Sequence, residues 1–260
     1  MSHAHISSLS IWRDRFIYMS PYFLGEQSCR PSTVILIGTD GDFELESSGN
    51  KHSGRAFLIG SNVARTLSAN NTSLYSLNVD PINPYARKLR EVLNGQDILD
   101  LQPRMNETAG QHARNSMSGK RTCHELRHSS EVILQALFPE IIGPPPLDRR
   151  VDMVASWLHT HIPQVAELKK LSALCGLSES RLTHLFTDEV GISIRQYLLW
   201  IKMRYAAELF VRNKTLSEVA HEIGFSDSSH LSRTFTRYFA LTPSYLANNK
   251  LVELQICDDS

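Results

Sequence analysis

The chain has 260 residues, 42% hydrophobic and 21% charged, which is enough apolar material for one large core or two smaller ones. Its 27 basic and 27 acidic residues cancel, so composition alone gives no warrant for a polyanionic partner. No uninterrupted apolar stretch reaches the length of a membrane span, and the start, MSHAHISSLSIWRDRF, lacks the basic and apolar segments of a signal peptide.

The first eighty or so residues read as strands. STVILIG (32–38), DFELES (42–47), RAFLIG (55–60) and SLYSLNVD (73–80) are short and rich in β-branched or aromatic residues, with TDGD and SSGNKHSG as turn signals between them. Strands at this spacing predict a small barrel or sandwich. From Pro84 the pattern turns helical: PYARKLREVL is one helix and CHELRHSSEVILQALF another, with Leu126, Ile133 and Leu137 on its apolar face. The intervening 101–120 is polar and weakly periodic and receives no assignment.

The run GPPPLD marks a boundary, because three prolines cannot continue a helix and favour an extended connection. Boundaries are expected at 1–142 for a front domain, 143–147 for a linker, 148–250 for a helical domain and 251–260 for a tail. From Asp148 to Lys250 the balance is 13 basic against 10 acidic residues, +3 against −3 for the remainder. Cys29, Cys123, Cys175 and Cys257 lie far apart with no CxxC or disulfide-framework spacing, which predicts a reducing, cytoplasmic setting.

Within the helical domain one pattern occurs twice. Leu168 is followed by Leu171, Ser172, Gly176, Leu177 and Ser178; Leu216 is followed by Val219, Ala220, Gly224, Phe225 and Ser226. A small residue lets a second helix pack across the first. The glycine permits a positive φ at the helix end, the next apolar residue fills the core, and the serine can cap the following helix. Leu182 and Phe186 then match Leu231 and Phe235, with one extra residue in the second copy. These are two helix-turn-helix units. The segment between them, Ser193 to Asn213, is long enough as a helix to span roughly 30 Å. Successive major-groove faces lie about 34 Å apart, so one chain could serve two adjacent grooves.

On these two units, on KMRYAAELF in the connecting helix and on LSEVAHEIGFSDSSHLSRTFTRYFALTPSYL, the C-terminal hundred residues resemble the DNA-binding domain of the AraC/XylS transcription regulators. One departure stands out: many members carry an arginine after the tyrosine that follows Pro243, where this chain has Leu246. The resemblance implies an α+β chain: a small, cupin-like N-terminal β-barrel with helices after it, then an all-α domain with two helix-turn-helix units joined by a long helix. It implies a DNA-binding regulator, more often an activator, with double-stranded DNA and RNA polymerase as partners. The front domain would take a small-molecule effector or pair two subunits. Base-contacting positions would be Ser180, Thr183 and His184 in the first unit and Ser228, Ser229 and Arg233 in the second, with Arg181, Lys214 and Arg237 on phosphates. Arg233 can pair bidentately with guanine, or hold a phosphate; base contact is slightly favoured. Two readings stand open for the apolar face with Leu126, Ile133 and Leu137: a dimer seam, or packing on its own barrel.

No enzyme is expected, since the chain has no nucleophile elbow, phosphate-cradling glycine loop or HExxH. His112, His124, His128, His159 and His161 raise the question of a metal, but adjacent helical positions point apart, and no metal or other cofactor is expected.

Overall fold

The structure is a computed structural model that describes residues 6–162, 167–212, 214–248 and 250–257. The N-terminal domain is built on two sheets. A seven-stranded sheet has the order β10-β7-β4-β9-β2-β1-β11, formed by Ile98–Asp100, Ala56–Ile59, Thr33–Gly38, Leu74–Val79, Arg15–Ser20, Ser7–Ile11 and Val252–Ile256. The four-stranded sheet has the order β3-β8-β5-β6, formed by Phe23–Ser28, Arg65–Ala69, Phe43–Ser47 and Asn50–Gly54.

Strands β2, β4 and β9 are buried at every position because both faces of the large sheet are covered. Alternation then sorts the side chains. Phe16, Tyr18, Val34 and Leu36 share one core with Phe23, Phe43 and Leu45 of the small sheet. Ile17, Met19, Ile35 and Ile37 face a second core, formed with helices α1 (Pro84–Leu93), α2 (Glu107–Met117) and α3 (Cys123–Leu137). Each large apolar side chain buried this way contributes roughly 1.5–3 kcal/mol.

Several sequence expectations need correction. The turn signal SSGNKHSG contains β6, and the unassigned 101–120 contains a short 3-10 turn and α2. Residues 251–257 do not trail free: Val252–Ile256 pairs in parallel with Ser7–Ile11 at the edge of the large sheet. Cys123 and Cys257 are joined in a disulfide across 134 residues, leaving Cys29 and Cys175 as free thiols. Leu126, Ile133 and Leu137 are 3%, 0% and 0% exposed in the core of their own domain. They are therefore not available as a dimer seam, and the second reading of that helix holds.

The C-terminal domain follows as α4 (Arg149–Thr160), α5 (Leu168–Leu174), α6 (Glu179–Val190), α7 (Ile194–Val211), α8 (Leu216–Glu222), α9 (Ser228–Phe239) and α10 (Pro243–Leu246). Helix α7 opens on a Ser193–Gln196 capping box. It buries Tyr197, Trp200, Ile201, Met203, Ala206, Ala207 and Phe210, since other helices and the barrel surround it. Leu246, the departure noted above, is 2% exposed and belongs to this core. No helix among the described residues is long and apolar enough to cross a membrane.

Candidate nucleic-acid interface

The two helix-turn-helix units close by the same hydrogen bonds. In the first, Gly176 has φ +66° and the Leu177 N–H donates to the Ser172 carbonyl at 3.0 Å. In the second, Gly224 has φ +73° and the Phe225 N–H donates to the Ala220 carbonyl at 2.8 Å. Ser172 and Ala220 are buried, so the small residue sits where the helices cross, as the pattern requires. Leu182, Phe186, Leu231 and Phe235 are each fully buried beneath α6 and α9.

The helix starts differ. Ser178 caps α6, accepting from the Arg181 N–H at 3.3 Å. Ser226 does not cap α9; the extra residue moves that task to Asp227, whose carboxylate accepts from the N–H groups of Ser229 at 2.8 Å and His230 at 3.2 Å. Those N–H groups hold the Asp227 carboxyl below its ordinary value, Ser229 first.

Ser180, Arg181, Thr183 and His184 are all exposed along one side of α6, and Ser229, Arg233 and Arg237 are exposed on α9. Ser228 is half-buried in the first turn of α9. The Thr183 hydroxyl donates back to the Glu179 carbonyl at 2.9 Å, which leaves it as an acceptor toward solvent. The guanidinium groups of Arg181, Arg233 and Arg237 have no ion pair among the described residues. Lys214 is placed differently from expectation. Its ammonium is half-buried in an ion pair with Glu222, which also accepts from the Tyr205 hydroxyl at 3.0 Å.

The domain is anchored to the N-terminal domain through the far ends of both exposed helices. At the end of α6, Arg90 of α1 donates to the carbonyls of Val190 and Glu189, each at 2.8 Å, and Arg87 pairs with Glu189 at 2.8 Å. These cations meet the negative end of the helix dipole. Gly191 makes the approach possible: its φ is +83°, and a Cβ there would lie 2.7 Å from the Arg90 Nη1. At the end of α9, the Cys29 N–H donates to the Arg237 carbonyl at 2.8 Å. Between them Asp80, 1% exposed, accepts from the Trp200 indole at 2.8 Å and pairs with Arg204, which also donates to the Arg13 and Trp12 carbonyls. His159 lies beside this cluster, 2.8 Å from the Tyr197 hydroxyl. Burial first, then the charges of Arg204 and Arg13, push His159 down to about 3, so it is neutral. None of these anchors was legible from the sequence, because each joins residues about a hundred or more positions apart.

Residues 171–249 match the family model for a helix-turn-helix domain. The chain is 30% identical over 93 residues to a probable transcriptional regulator, LumQ, of Photobacterium leiognathi, covering 35% of this chain and 38% of that one. It is 25% identical over 125 residues to the lactose operon transcription activator of Staphylococcus xylosus, covering 45% of each. Among solved structures, apo ToxT of Vibrio cholerae superposes with a TM-score of 0.58 at 13% identity, over 90% of this chain and 97% of that one. The C-terminal domain is of the AraC type. Against the curated relatives the matched stretch spans only 13% to 45% of their length, whereas the likeness to ToxT extends the fold across both domains.

Where the AraC-type domain meets the barrel, a cavity of about 30 Å³ is enclosed by Phe16, Tyr18, Leu67 and Leu74 on one side and Phe239, Ala240 and Leu241 at the end of α9 on the other. Arg30 and Arg65 also line it, 8% and 2% exposed. Arg30 donates to Asn78 at 3.1 Å and to Ser28 at 3.4 Å, while its Nε has no partner. Arg65 donates to the Val63 carbonyl at 2.9 Å. Neither has a carboxylate partner among the described residues. Burial, and then the charge of Arg65, hold Arg30 well below its ordinary value, and burial takes Arg65 down to about 10. Sequence reading missed this pair because nothing in the spacing of 30 and 65 distinguishes two inward arginines from two surface ones. As for a metal, no three His, Cys, Asp or Glu side chains converge among the described residues.

Proposed function

We propose that this protein is a sequence-specific, DNA-binding transcription regulator that lays α6 and α9 in adjacent major grooves. The observation that carries it is the pair of helix-turn-helix units with matching turns, each presenting polar side chains on the exposed face of its second helix. Helix α7, with 18 residues, is about 27 Å long and separates the two units on the scale of one turn of DNA. Ser180, Thr183 and His184 face bases in one groove; Ser228, Ser229 and Arg233 face bases in the next. Arg181 and Arg237 hold phosphates. Lys214 would have to leave Glu222 to join them. Since one chain supplies both reading helices, binding two grooves requires no second subunit.

Activation is the favoured sign, by likeness to the lactose operon activator, and contact with RNA polymerase follows from it. The N-terminal domain is the effector domain. ToxT has been solved with an unsaturated fatty acid bound, over a fold that covers 92% of this chain with a TM-score of 0.52. Here the uncompensated Arg30 and Arg65 suit a carboxylate, and the apolar lining suits a hydrocarbon tail. A cavity of about 30 Å³ admits a water or two, so a tail enters only by displacing Leu241 and its neighbours at the end of α9. That displacement is how an effector would reach the DNA-reading helix.

Selection of genomic fragments by the purified full-length protein, with Arg233→Ala beside it, tests the reading. The expected result is an asymmetric motif spanning two grooves. The variant should lose preference at one base pair, at a cost of about 1–3 kcal/mol. No enrichment by the wild type, with and without a long-chain fatty acid, would overturn it.

A further inference from the structure

The chain leaves the AraC-type domain after α10 and returns to the N-terminal domain as β11. All five residues of β11 are in register with β1, from Ser7 opposite Val252 to Ile11 opposite Ile256. The Ser7 N–H donates to the Leu251 carbonyl at 3.0 Å, and the Cys257 N–H to the Ile11 carbonyl at 2.9 Å. Beyond the backbone, β11 is held to the start of α3 by three links: Gln255 donates to the Arg121 carbonyl at 3.0 Å, Lys120 pairs with Glu253 at 2.9 Å, and the Cys123–Cys257 disulfide joins the two elements. The first two are exposed or half-exposed polar contacts of small net value. Only the disulfide is covalent, and the loop it closes, 134 residues apart in sequence, contains the entire DNA-binding domain.

We propose that the Cys123–Cys257 disulfide is a redox modification site that latches β11, and with it the exit end of the DNA-binding domain, onto the N-terminal domain. With the bond closed, that domain is tethered at both ends: at its entry by the 143–147 connection and at its exit by the latched strand. With the bond open, β11 is an edge strand held by one neighbour, which is a weak attachment.

The chemistry is thiol–disulfide exchange with a dithiol reductant, either a small molecule or a redox protein. Cys257 is 6% exposed and Cys123 is half-buried, so Cys123 is the sulfur that an incoming thiolate reaches. Attack there forms a mixed disulfide with Cys123, breaks the Cys123–Cys257 bond and releases Cys257 as a thiolate, which takes up a proton. The second thiol of the reductant then displaces Cys123 and closes the reductant's own disulfide. Two electrons pass to the protein and two protons end on its sulfurs. Re-oxidation by a disulfide oxidant runs the same exchange backward.

The consequence for DNA rests on the function proposed above. In the latched form both reading helices are held at their C-terminal ends by the N-terminal domain, α6 through Arg90 and α9 through the Cys29 N–H. Opening the latch relaxes that hold, so the reduced form binds a two-groove site more tightly.

Hydrogen exchange on the full chain, oxidised or reduced with dithiothreitol, tests the latch directly. Amides of 252–256 should exchange faster on reduction by roughly one to two orders of magnitude, while those of β4 and β9 stay protected. Cys257→Ser should match the reduced form under both conditions, and Cys175→Ser should behave as wild type. Equal exchange in the two forms, failure of the pair to oxidise in a glutathione redox buffer, or loss of protection throughout β4 and β9 would each overturn the proposal. Affinity for a selected DNA fragment should rise about fivefold or more on reduction, a difference that Cys257→Ser abolishes. Equal or weaker binding by the reduced form refutes the coupling to DNA. If neither form binds DNA, the regulator reading fails, and the exchange data still decide the latch.

Discussion

The two helix-turn-helix units share a turn and differ in almost everything attached to it. Each places a positive-φ glycine at the helix end and returns the next N–H to a buried small residue. Yet α6 starts on a serine and α9 on an aspartate; α6 ends on Gly191 under an arginine from α1, whereas α9 ends on Ala240, at φ +57°, against the barrel. The turn is set by local backbone chemistry and so repeats. The attachments are set by what each helix meets, and so they diverge. The exposed faces differ in their balance: Ser180, Thr183 and His184 beside one arginine, Arg181, on α6, and Ser229 beside two, Arg233 and Arg237, on α9, none of the three arginines having an ion pair among the described residues. Bidentate arginine discriminates bases better than a hydroxyl does, so the second unit should carry more of the sequence preference.

The largest effects should ignore the difference between the units. Phe186→Ala and Phe235→Ala each remove a fully buried ring from one continuous core and should cost about 3–5 kcal/mol apiece in denaturant unfolding. A large loss from only one of them would show that the two units are not packed alike. Next comes a response to acid that belongs to the first half of the domain. His159 is neutral when folded, with its ordinary value near 6.5 lowered to about 3, so its contribution is fully present above pH 6.5. Below that the unfolded chain takes up a proton that the folded one refuses. Stability should therefore fall by about 2 kcal/mol between pH 6.5 and 5, measured as a shift in the urea midpoint that His159→Gln removes.

Arg90→Ala separates the units. It strips the charged donors from the end of α6 and should cost about 1–2 kcal/mol, with faster hydrogen exchange in the last turn of α6 and none added in α9. Equal fraying of both helices would contradict the assignment of Arg90 to α6 alone. The smallest expected effect is at the caps: Ser178→Ala and Asp227→Ala should each cost roughly 1 kcal/mol, and Ser226→Ala close to nothing, because the extra residue has moved the cap.

What could be read from the sequence follows the same division between local and distant. The repeat, the connecting helix and strands β4, β5, β7 and β9 announce themselves through glycine, capping residues and β-branched runs. Helix α2 does not, because the face it buries is Ala109, Gly110, Ala113 and Ser116, a stripe of small residues pressed close to α3 rather than a row of large apolar ones. Strand β11 and the disulfide escape because their partners lie at the other end of the chain or 134 residues away. At the candidate interface, the exposed faces of α6 and α9 were legible from the repeat. The Arg90 cap and the inward Arg30 and Arg65 were not, since they depend on how segments far apart in the sequence pack, and the Lys214–Glu222 pair depends on how α8 packs beside α7.

In the proposed function one chain reads two grooves at a fixed separation. The most direct test uses the motif recovered by fragment selection and inserts about five base pairs, half a helical turn, between its two halves. The predicted result is a loss of affinity to the level of a site with one half scrambled, because α7 cannot bring α6 and α9 to opposite faces of the duplex. Unchanged affinity after the insertion would contradict the account and leave only one unit engaged with DNA.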